Sequence, residues 1–264
     1  MASDLNELPF VKGSGETTVK VLFLNPNATN SMTMSCLDMI SNSIPADTIV
    51  YGYTGPENDT PITIEGHLDS VLSAASCIRN AYGLIDQVDA VVVGCFSVHP
   101  LINCVREEFS KPCCGIMEAG FYNARLLGGK FGVVCTVYRS QIRHEFAVRN
   151  YGLTPFCAGL LSTKLAVKEL ETKPREEVLA LMANCALELV KKDADCIVLG
   201  CAGMADMANA VKAAVEPYHV QVIDGVSSAV NILSGLVRMG LRTSKRGLFM
   251  DSKPNRELRG QNYL

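Results

Sequence analysis

Short runs of apolar, β-branched residues alternate along the chain with longer segments in which apolar residues recur every three or four positions. The strand-like runs are VKVLFLNPN (19–27), DAVVVGC (89–95), KFGVVCT (130–136), DCIVLGC (195–201) and VQVIDG (220–225). Continuous apolar runs of this kind are typical of strands buried on both faces of a parallel sheet. The alternation therefore predicts an α/β protein with parallel sheets.

The segments between these runs carry helical periodicity. One face of a helix predicted over residues 67–85 would be apolar and buried, with Leu68, Val71, Leu72, Ala75, Ile78, Tyr82 and Ile85. The same pattern predicts further helices at 101–109, 118–127, 138–149, 162–171, 175–192 and 226–239. The last two dozen residues are polar and basic, which predicts a tail on the surface.

The pattern repeats in the second half of the chain. Asp89, Gly94 and Cys95 align with Asp195, Gly200 and Cys201, and each Cys-ending strand precedes a helix, a short strand and another helix. We therefore expect two similar, pseudo-symmetric Rossmann-like lobes. Their predicted extents are 19–117 with 222–245 for the first lobe, 118–221 for the second, and 1–18 and 246–264 for terminal extensions.

Composition narrows the class of protein. Of 264 residues, 48% are hydrophobic and 19% charged, which supports a sizeable core and argues against disorder. A net charge of −3 gives no electrostatic footprint for nucleic acid or an anionic membrane. No apolar run approaches the roughly 18 to 20 residues that span a bilayer. Because the N-terminal segment is polar and has no signal-peptide core, we expect a cytoplasmic protein, with the nucleus left open.

Eleven cysteines are present, and none forms a Cys-x-x-Cys pair. An odd number in a long chain that we expect to stay inside the cell does not indicate a disulfide framework, and paired zinc ligands at short spacing are missing. Most of these thiols are therefore expected to be small buried hydrophobic groups. The four histidines are scattered, and neither a Walker loop nor a Gly-x-Gly-x-x-Gly motif occurs. We expect no metal and no cofactor.

Cys95 and Cys201 are different, because each follows the carboxyl end of a predicted parallel strand. Ligands bind beyond the carboxyl ends of such strands, where the next helix presents backbone N–H groups and its positive dipole end. A thiol there can have its pKa lowered from about 8.5 towards neutrality. Two such lobes would place one thiol on each side of a cleft between them. This arrangement suits a two-base racemase or epimerase, in which one thiolate removes a proton and the other thiol delivers one.

Several motifs resemble the aspartate/glutamate/hydantoin racemase superfamily, in its hydantoin and allantoin racemase branch. In chain order they are LNPNATNSMT, TGPENDTPITIEG, GCFSVHPL, GIMEAG, FGVVCT and VLGCAGMA, and the resemblance covers about residues 19 to 238. It implies a racemase of 5-substituted hydantoins or allantoin that needs no cofactor, with Cys95 and Cys201 as the acid/base pair. It also implies a pseudo-symmetric α/β fold and a homo-oligomer.

The proposed chemistry indicates further site residues. Proton removal at C5 of the ring creates an enolate oxygen that needs hydrogen-bond donors. The candidates are the backbone N–H groups of Phe96, Ser97, Ala202 and Gly203, together with Thr136. Asn27 is expected to bind a ring carbonyl or N–H, with a turn residue as the alternative. Ile64 and Thr63 are candidates for the pocket wall, and Glu65 is interpreted as a helix-start residue.

Two positions depart from the pattern of the branch. Val98 stands where the branch often has Asp, and Cys135 stands where it has Thr. His99, next to Val98, is either a residue that orients Cys95 or a helix-start residue that faces solvent.

Other functions remain open at this point. A lyase similar to arylmalonate decarboxylase needs only the second cysteine, and an amino-acid racemase of the same superfamily handles charged substrates. A dicarboxylic substrate usually requires Arg or Lys, and none lies within the motifs quoted above. A non-catalytic protein that binds a small molecule is a further alternative, although both cysteines are present.

Overall fold

The computed structural model describes residues 3–261, 263 and 264, including their side chains except at positions 171, 205 and 206. Residues 1, 2 and 262 of the predicted terminal extensions lie outside the described residues. The described strands are β1 (Phe10–Lys12), β2 (Val19–Asn25), β3 (Thr48–Thr54), β4 (Ala90–Val93), β5 (Cys113–Gly115), β6 (Phe131–Cys135), β7 (Cys157–Ser162), β8 (Cys196–Leu199) and β9 (Gln221–Ile223). The described α-helices are α1 (Asn30–Ile40), α2 (His67–Asn80), α3 (Tyr82–Asp86), α4 (Pro100–Glu108), α5 (Ile116–Leu127), α6 (Tyr138–Asn150), α7 (Glu169–Thr172), α8 (Arg175–Val190), α9 (Ala208–Val215), α10 (Gly225–Arg238) and α11 (Lys253–Leu258).

The strands form two sheets of matching order. The first runs β1-β3-β2-β4-β5 and the second runs β7-β6-β8-β9. All neighbouring strands are parallel except β1, which pairs with β3 in the antiparallel sense. The sequence prediction of an α/β protein with parallel sheets is therefore confirmed. Apart from β1, each sheet is built in the same order, with β4 and β8 in corresponding places.

The chain divides into two compact units, each with one of the sheets. The first comprises residues 1–95, 99–115 and 229–264, and the second comprises residues 96–98 and 116–228. The two sheets have separate hydrophobic cores. In the first unit, Leu22, Leu24, Val91 and Val93 belong to a cluster that includes side chains of the surrounding helices. The second unit has a corresponding cluster around Ile197, with side chains of α8 and α9.

The buried face of α2 differs from the prediction. Ile78 and Ile85 of the predicted apolar face are buried. Leu68, Val71 and Leu72 are exposed, Leu68 to 70%, whereas Ser73 and Cys77 are buried. One side of the helix carries large apolar side chains, and the other carries mostly small ones. The side with the small side chains packs inward against α4. Small side chains let two helices approach closely, and for this reason the buried stripe is not the most hydrophobic one. The predicted helix also breaks at Ala81, so that residues 82–86 form α3.

A second correction concerns residues 162–171, where the sequence predicts a helix. Only Glu169–Thr172 is helical. The preceding residues continue from β7 into a turn in which Lys164 has a left-handed φ of 65°. Hydroxyl groups of Ser162 and Thr163 donate to backbone carbonyls at Thr136 and Cys135. These side-chain bonds replace the helical hydrogen bonds that the apolar periodicity suggested.

The C-terminal segment lies on the surface, as predicted, and side-chain contacts tie it to α4. Arg256 on α11 pairs with the largely buried carboxylate of Glu108 at 2.5 Å. Lys245 donates to the carbonyl groups of Arg106 and Glu107 at 2.7 and 2.8 Å, at the C-terminal end of α4. A cation at this end of a helix satisfies carbonyl groups that lack helical partners.

In the described part of the chain, no helix combines the length and the apolar character that crossing a membrane requires.

Candidate active site

Cys95 follows the carboxyl end of β4. The backbone N–H of Gly94 donates to Leu24 O at 2.8 Å, which extends the pairing with β2 by one residue. A Cβ atom at position 94 would lie 2.5 Å from the ring of Phe23, so any larger residue would require that ring to shift. The Cys95 side chain is half-buried and packs against the core of the first unit.

Cys201 occupies the corresponding place after β8. Gly200 N–H donates to Val134 O at 2.8 Å, and a Cβ atom at position 200 would lie 2.5 Å from the same carbonyl oxygen. The Cys201 side chain is likewise half-buried. In both sheets the Gly-Cys pair thus ends the third strand in the order β3-β2-β4-β5 or β7-β6-β8-β9, with a glycine pressed against the neighbouring strand.

The residues after Cys95 form an irregular loop before α4. Phe96 and Ser97 are buried, and Val98 is exposed. His99 is the N-cap of α4, where its Nδ1 accepts a hydrogen bond from Leu101 N–H at 3.3 Å. The ring proton must then be on Nε2, which donates to Ser73 Oγ at 3.0 Å. The helix-start interpretation of His99 is confirmed, but the expectation that it faces solvent is wrong, because only 1% of its surface is exposed.

The residues after Cys201 turn at once into a 3₁₀ helix, Ala202–Met207, which leads into α9. Met204 N–H donates to Cys201 O at 3.1 Å. Ala202 is buried, and Gly203 lies beside the thiol, since a Cβ atom at position 203 would be 3.8 Å from Cys201 Sγ. The side chains of Met204, Met207, Val211 and Val215 are buried.

Thr136 follows β6, the neighbour of β8, and therefore lies at the same edge of the second sheet as Cys201. Its side chain is buried, and its hydroxyl donates to Ser140 Oγ at 3.0 Å. The hydroxyl oxygen thus helps to hold the start of α6. A contact between Thr136 and substrate stays a prediction.

Asn27 lies just beyond the carboxyl end of β2, the neighbour of β4. Its Oδ1 accepts hydrogen bonds from Thr29 N–H at 2.9 Å and from Asn25 Nδ2 at 3.0 Å. Its Nδ2 contacts Met32 Sδ at 3.4 Å, which is a weak acceptor. Asn27 is therefore a turn residue, and the binding role that the sequence also predicts would have to use its amide N–H.

The loop before α2 contains Ile64, which is half-buried. The backbone N–H groups of Glu65 and Gly66 both donate to Asp69 Oδ2 at 2.9 Å, so a carboxylate in the first turn fixes the entry into α2. Glu65 directly precedes the N-cap residue Gly66, in agreement with its interpretation as a helix-start residue. The pocket-wall role of Ile64 and Thr63 stays a prediction.

Sequence reasoning missed a pair of buried side chains in the second unit, Cys135 and His144. Cys135 Sγ lies 3.3 Å from His144 Nδ1, and His144 Nε2 lies 2.9 Å from Phe96 O. Burial lowers the pKa of His144 to about 4 and raises the pKa of Cys135 well above its usual value. A visible signal was the spacing of His144 with Ala147 and Val148, which together form the buried face of α6.

Among the described residues, no three His, Cys, Asp or Glu side chains come together in a way that could hold a metal ion. The expectation that the protein uses no cofactor stays a prediction.

Comparisons with known proteins agree with the fold. The sequence model of the Asp/Glu/Hydantoin racemase family matches residues 21–233. The solved structure of allantoin racemase from Klebsiella pneumoniae is similar with a TM-score of 0.79 and 30% identity, over 89% of this chain and 94% of that one. Hydantoin racemase of Rhizobium meliloti is 33% identical over 223 residues, 84% of this chain and 90% of the relative. An uncharacterized protein of Schizosaccharomyces pombe is 40% identical over 233 residues, 88% of this chain and 97% of the relative.

The fold and the sequence similarity therefore define the class as that of the racemases, which are isomerases. Within this class, the chain belongs to the Asp/Glu/hydantoin racemase family.

Proposed function

We propose that the protein racemises a 5-substituted hydantoin or allantoin by proton transfer between C5 of the ring and two thiols, Cys95 and Cys201. The observation that carries the proposal is the equivalent placement of these two residues after β4 and β8, each preceded by a glycine that packs against the neighbouring strand. If the two cysteines were present only by chance, they would not be expected at the same position in two sheets of the same order.

The reaction balances without an added reagent. One cysteine, as thiolate, takes the C5 proton and leaves a carbanion that is delocalised as an enolate onto the ring carbonyl. The other cysteine, as thiol, gives its proton to the opposite face of C5. After one turnover the protonation states of the two sulfurs are exchanged, and the enzyme is ready for the opposite enantiomer.

A neutral ring suits the residues around the two thiols better than a free amino acid. The motifs that contain Asn27, Cys95, Thr136 and Cys201 include no Lys or Arg, which a dicarboxylic substrate would usually need. Backbone N–H groups are the remaining donors for a developing enolate. In other enzymes, one such donor contributes about 10²–10³ in rate. Two of the similar proteins, a hydantoin racemase and an allantoin racemase, are named for rings of this type.

The test is the loss of optical rotation from pure enantiomers of allantoin, 5-benzylhydantoin and 5-isopropylhydantoin, with no cofactor added. We expect racemisation of at least one of these compounds, and no racemisation of aspartate or glutamate. Exhaustive dialysis against EDTA should leave the rate unchanged, because the proposed proton transfers use only thiols and backbone donors.

Controls separate the two thiols from the other cysteines. Cys185→Ser replaces another half-buried thiol, on α8, and should leave the rate unchanged. Cys95→Ser/Cys201→Ser should abolish racemisation, since a hydroxyl is a poor acid and base near neutral pH. Full activity in the double variant, or no activity of the wild type on any of the three rings, would overturn the proposal. The homo-oligomer and the cytoplasmic location implied above stay predictions.

A further inference from the structure

A chain of two hydrogen bonds reaches the residue that follows Cys95. His144 on α6 is 5% exposed, and both ring nitrogens have partners, Cys135 Sγ at 3.3 Å and Phe96 O at 2.9 Å. The Phe96 ring also packs edge-on against the imidazole, with ring centroids 5.1 Å apart. His144 thus holds Phe96 by its backbone and by its side chain.

The direction of each bond follows from its acceptor. A carbonyl oxygen only accepts, so Nε2 of His144 carries a proton and donates to Phe96 O. The lowered pKa of His144 keeps the ring neutral at physiological pH, with a single proton. Nδ1 is therefore an acceptor, and the Cys135 thiol, whose pKa is raised by burial, donates to it. The Cys135 thiol thus complements the tautomer in which His144 holds Phe96.

This anchoring affects the peptide next to Cys95. The described residues contain no cis peptide bond, and in a trans peptide the carbonyl and the following N–H point in opposite directions. Holding Phe96 O towards His144 turns the Ser97 N–H to the other side of the peptide plane. Ser97 N–H is one of the candidate donors for the enolate of the proposed reaction.

A direct role of His144 in proton transfer does not fit its surroundings. The ring is buried, and its two nitrogens are occupied by Cys135 and Phe96. An effect on the reaction must therefore pass through the Phe96 peptide.

We infer that His144, which contacts Phe96 O through one ring nitrogen and Cys135 through the other, is a positioning residue that fixes the Cys95–Phe96–Ser97 backbone for proton transfer. The effect of His144 on catalysis rests on the proposed function. The anchoring of Phe96 by His144 can be measured separately, without a substrate.

The first measurement needs no substrate. The rate of alkylation by iodoacetamide is followed separately for Cys95 and Cys201 by mass spectrometry of their peptides. His144→Leu removes the donor to Phe96 O and should free the loop, so that alkylation at Cys95 becomes several-fold faster while Cys201 is unchanged. His144→Gln supplies an amide N–H near the Nε2 position and should restore the slow rate. Arg139→Leu, on the exposed side of α6, is the matched control and should behave as wild type.

The second measurement uses the proposed reaction. Exchange of the C5 proton in D₂O is recorded for each pure enantiomer in two backgrounds, Cys201→Ser and Cys95→Ser. Adding His144→Leu should slow the exchange that depends on Cys95 by about tenfold to a hundredfold, by analogy with the loss of residues that orient metal ligands in other enzymes. The exchange that depends on Cys201 should change much less. In place of His144→Leu, His144→Gln should recover most of the kcat of the exchange that depends on Cys95.

The outcomes separate the two ideas. Unchanged alkylation at Cys95 in His144→Leu, or equal acceleration at both cysteines, would overturn the anchoring by His144. Selective acceleration at Cys95 in a protein that exchanges none of the tested rings would support the anchoring and count against the proposed function. Exchange lowered equally in both backgrounds would show a general structural role and overturn the positioning of Cys95.

Discussion

The segments that follow Cys95 and Cys201 begin in the same way and then diverge. Both cysteines come after a glycine that continues the pairing with the neighbouring strand. After Cys201 the backbone closes at once into a 3₁₀ helix, held by the bond from Met204 N–H to Cys201 O. After Cys95 an irregular loop precedes α4, and two buried imidazoles hold its ends, His144 at Phe96 and His99 at the helix N-cap.

The difference shows that the two halves share the order of the sheet and the position of each cysteine. The loops that follow the two cysteines are held in different ways. One thiol is held by a regular backbone turn. The other depends on side chains distant in sequence, including Ser73 on α2 and Cys135 at the end of β6. We therefore expect the Cys95 segment to be the more sensitive of the two to pH and to substitutions of side chains.

Substitutions of the glycines at the two strand ends should have the largest effect on stability. They also test whether the two segments are equivalent. Gly200→Ala would place a Cβ atom 2.5 Å from a backbone carbonyl oxygen in the middle of the second sheet. We expect a loss of about 3 kcal/mol in the free energy of unfolding, since the strand would have to shift. Gly94→Ala meets the Phe23 ring instead, which can tilt, and should cost less. Urea unfolding measures both.

Gly235→Ala is the matched control for these two changes. No atom lies within 4 Å of the added Cβ, and the residue is inside α10. The change should stabilise the protein by up to about 1 kcal/mol through helix propensity. Equal effects of Gly200→Ala and Gly235→Ala would refute the close packing at the strand end.

Acid should weaken the segment after Cys95 through His144. Its pKa is lowered by burial from 6.5 to about 4 in the folded protein, so below pH 6.5 the unfolded chain binds a proton that the folded chain does not. Stability is therefore fully present above pH 6.5 and is lost as the pH falls towards 4. Between pH 7 and pH 5 this group should remove on the order of 2 kcal/mol from the free energy of unfolding.

The check compares wild type with His144→Leu, in which the titrating group is absent. Wild type should lose more stability than the variant on going from pH 7 to pH 5, as measured by urea unfolding. Asp47, whose pKa is also lowered through its pairing with Arg238, titrates below this range and does not disturb the comparison. Equal losses in both proteins would contradict the buried neutral imidazole.

The smallest of the stability effects concerns the N-cap of α4. His99→Ala removes the acceptor for Leu101 N–H and the partner of Ser73, and should cost about 1–2 kcal/mol. His99→Asn should recover most of the loss, because asparagine is a good N-cap residue. Thermal unfolding of the two variants distinguishes a capping role of His99 from a role limited to its contact with Ser73. Identical destabilisation by both would contradict the capping role.

Much of the fold could be predicted because continuous β-branched runs have few alternatives to buried parallel strands. The runs before Cys95 and Cys201 became β4 and β8, and the internal repeat correctly indicated two similar α/β lobes. The apolar stripe of α2 was misjudged, because periodicity does not reveal that a helix packs by its small side chains. Leu68 is exposed there and Ser73 is buried.

The candidate site was predictable only in part. The Gly-Cys strand ends are a local pattern and could be found from the sequence alone. The contacts that hold the Cys95 loop are not local, since His99 meets Ser73, and His144 meets Phe96 and Cys135. Single residues in polar surroundings carry no periodic signal, so only the folded chain reveals such partners.

The central claim is that Cys95 and Cys201 act as two bases on one carbon, and hydrogen exchange in the single variants tests it most directly. Cys95→Ser and Cys201→Ser are each incubated in D₂O with pure enantiomers of the ring that the wild type racemises, and NMR follows the C5–H signal against a no-enzyme control. We expect racemisation to collapse in both variants, while each variant still exchanges C5–H of one enantiomer with retention. The two variants should exchange opposite enantiomers. Exchange of the same enantiomer by both variants, or near-wild-type racemisation in either, would contradict the central claim.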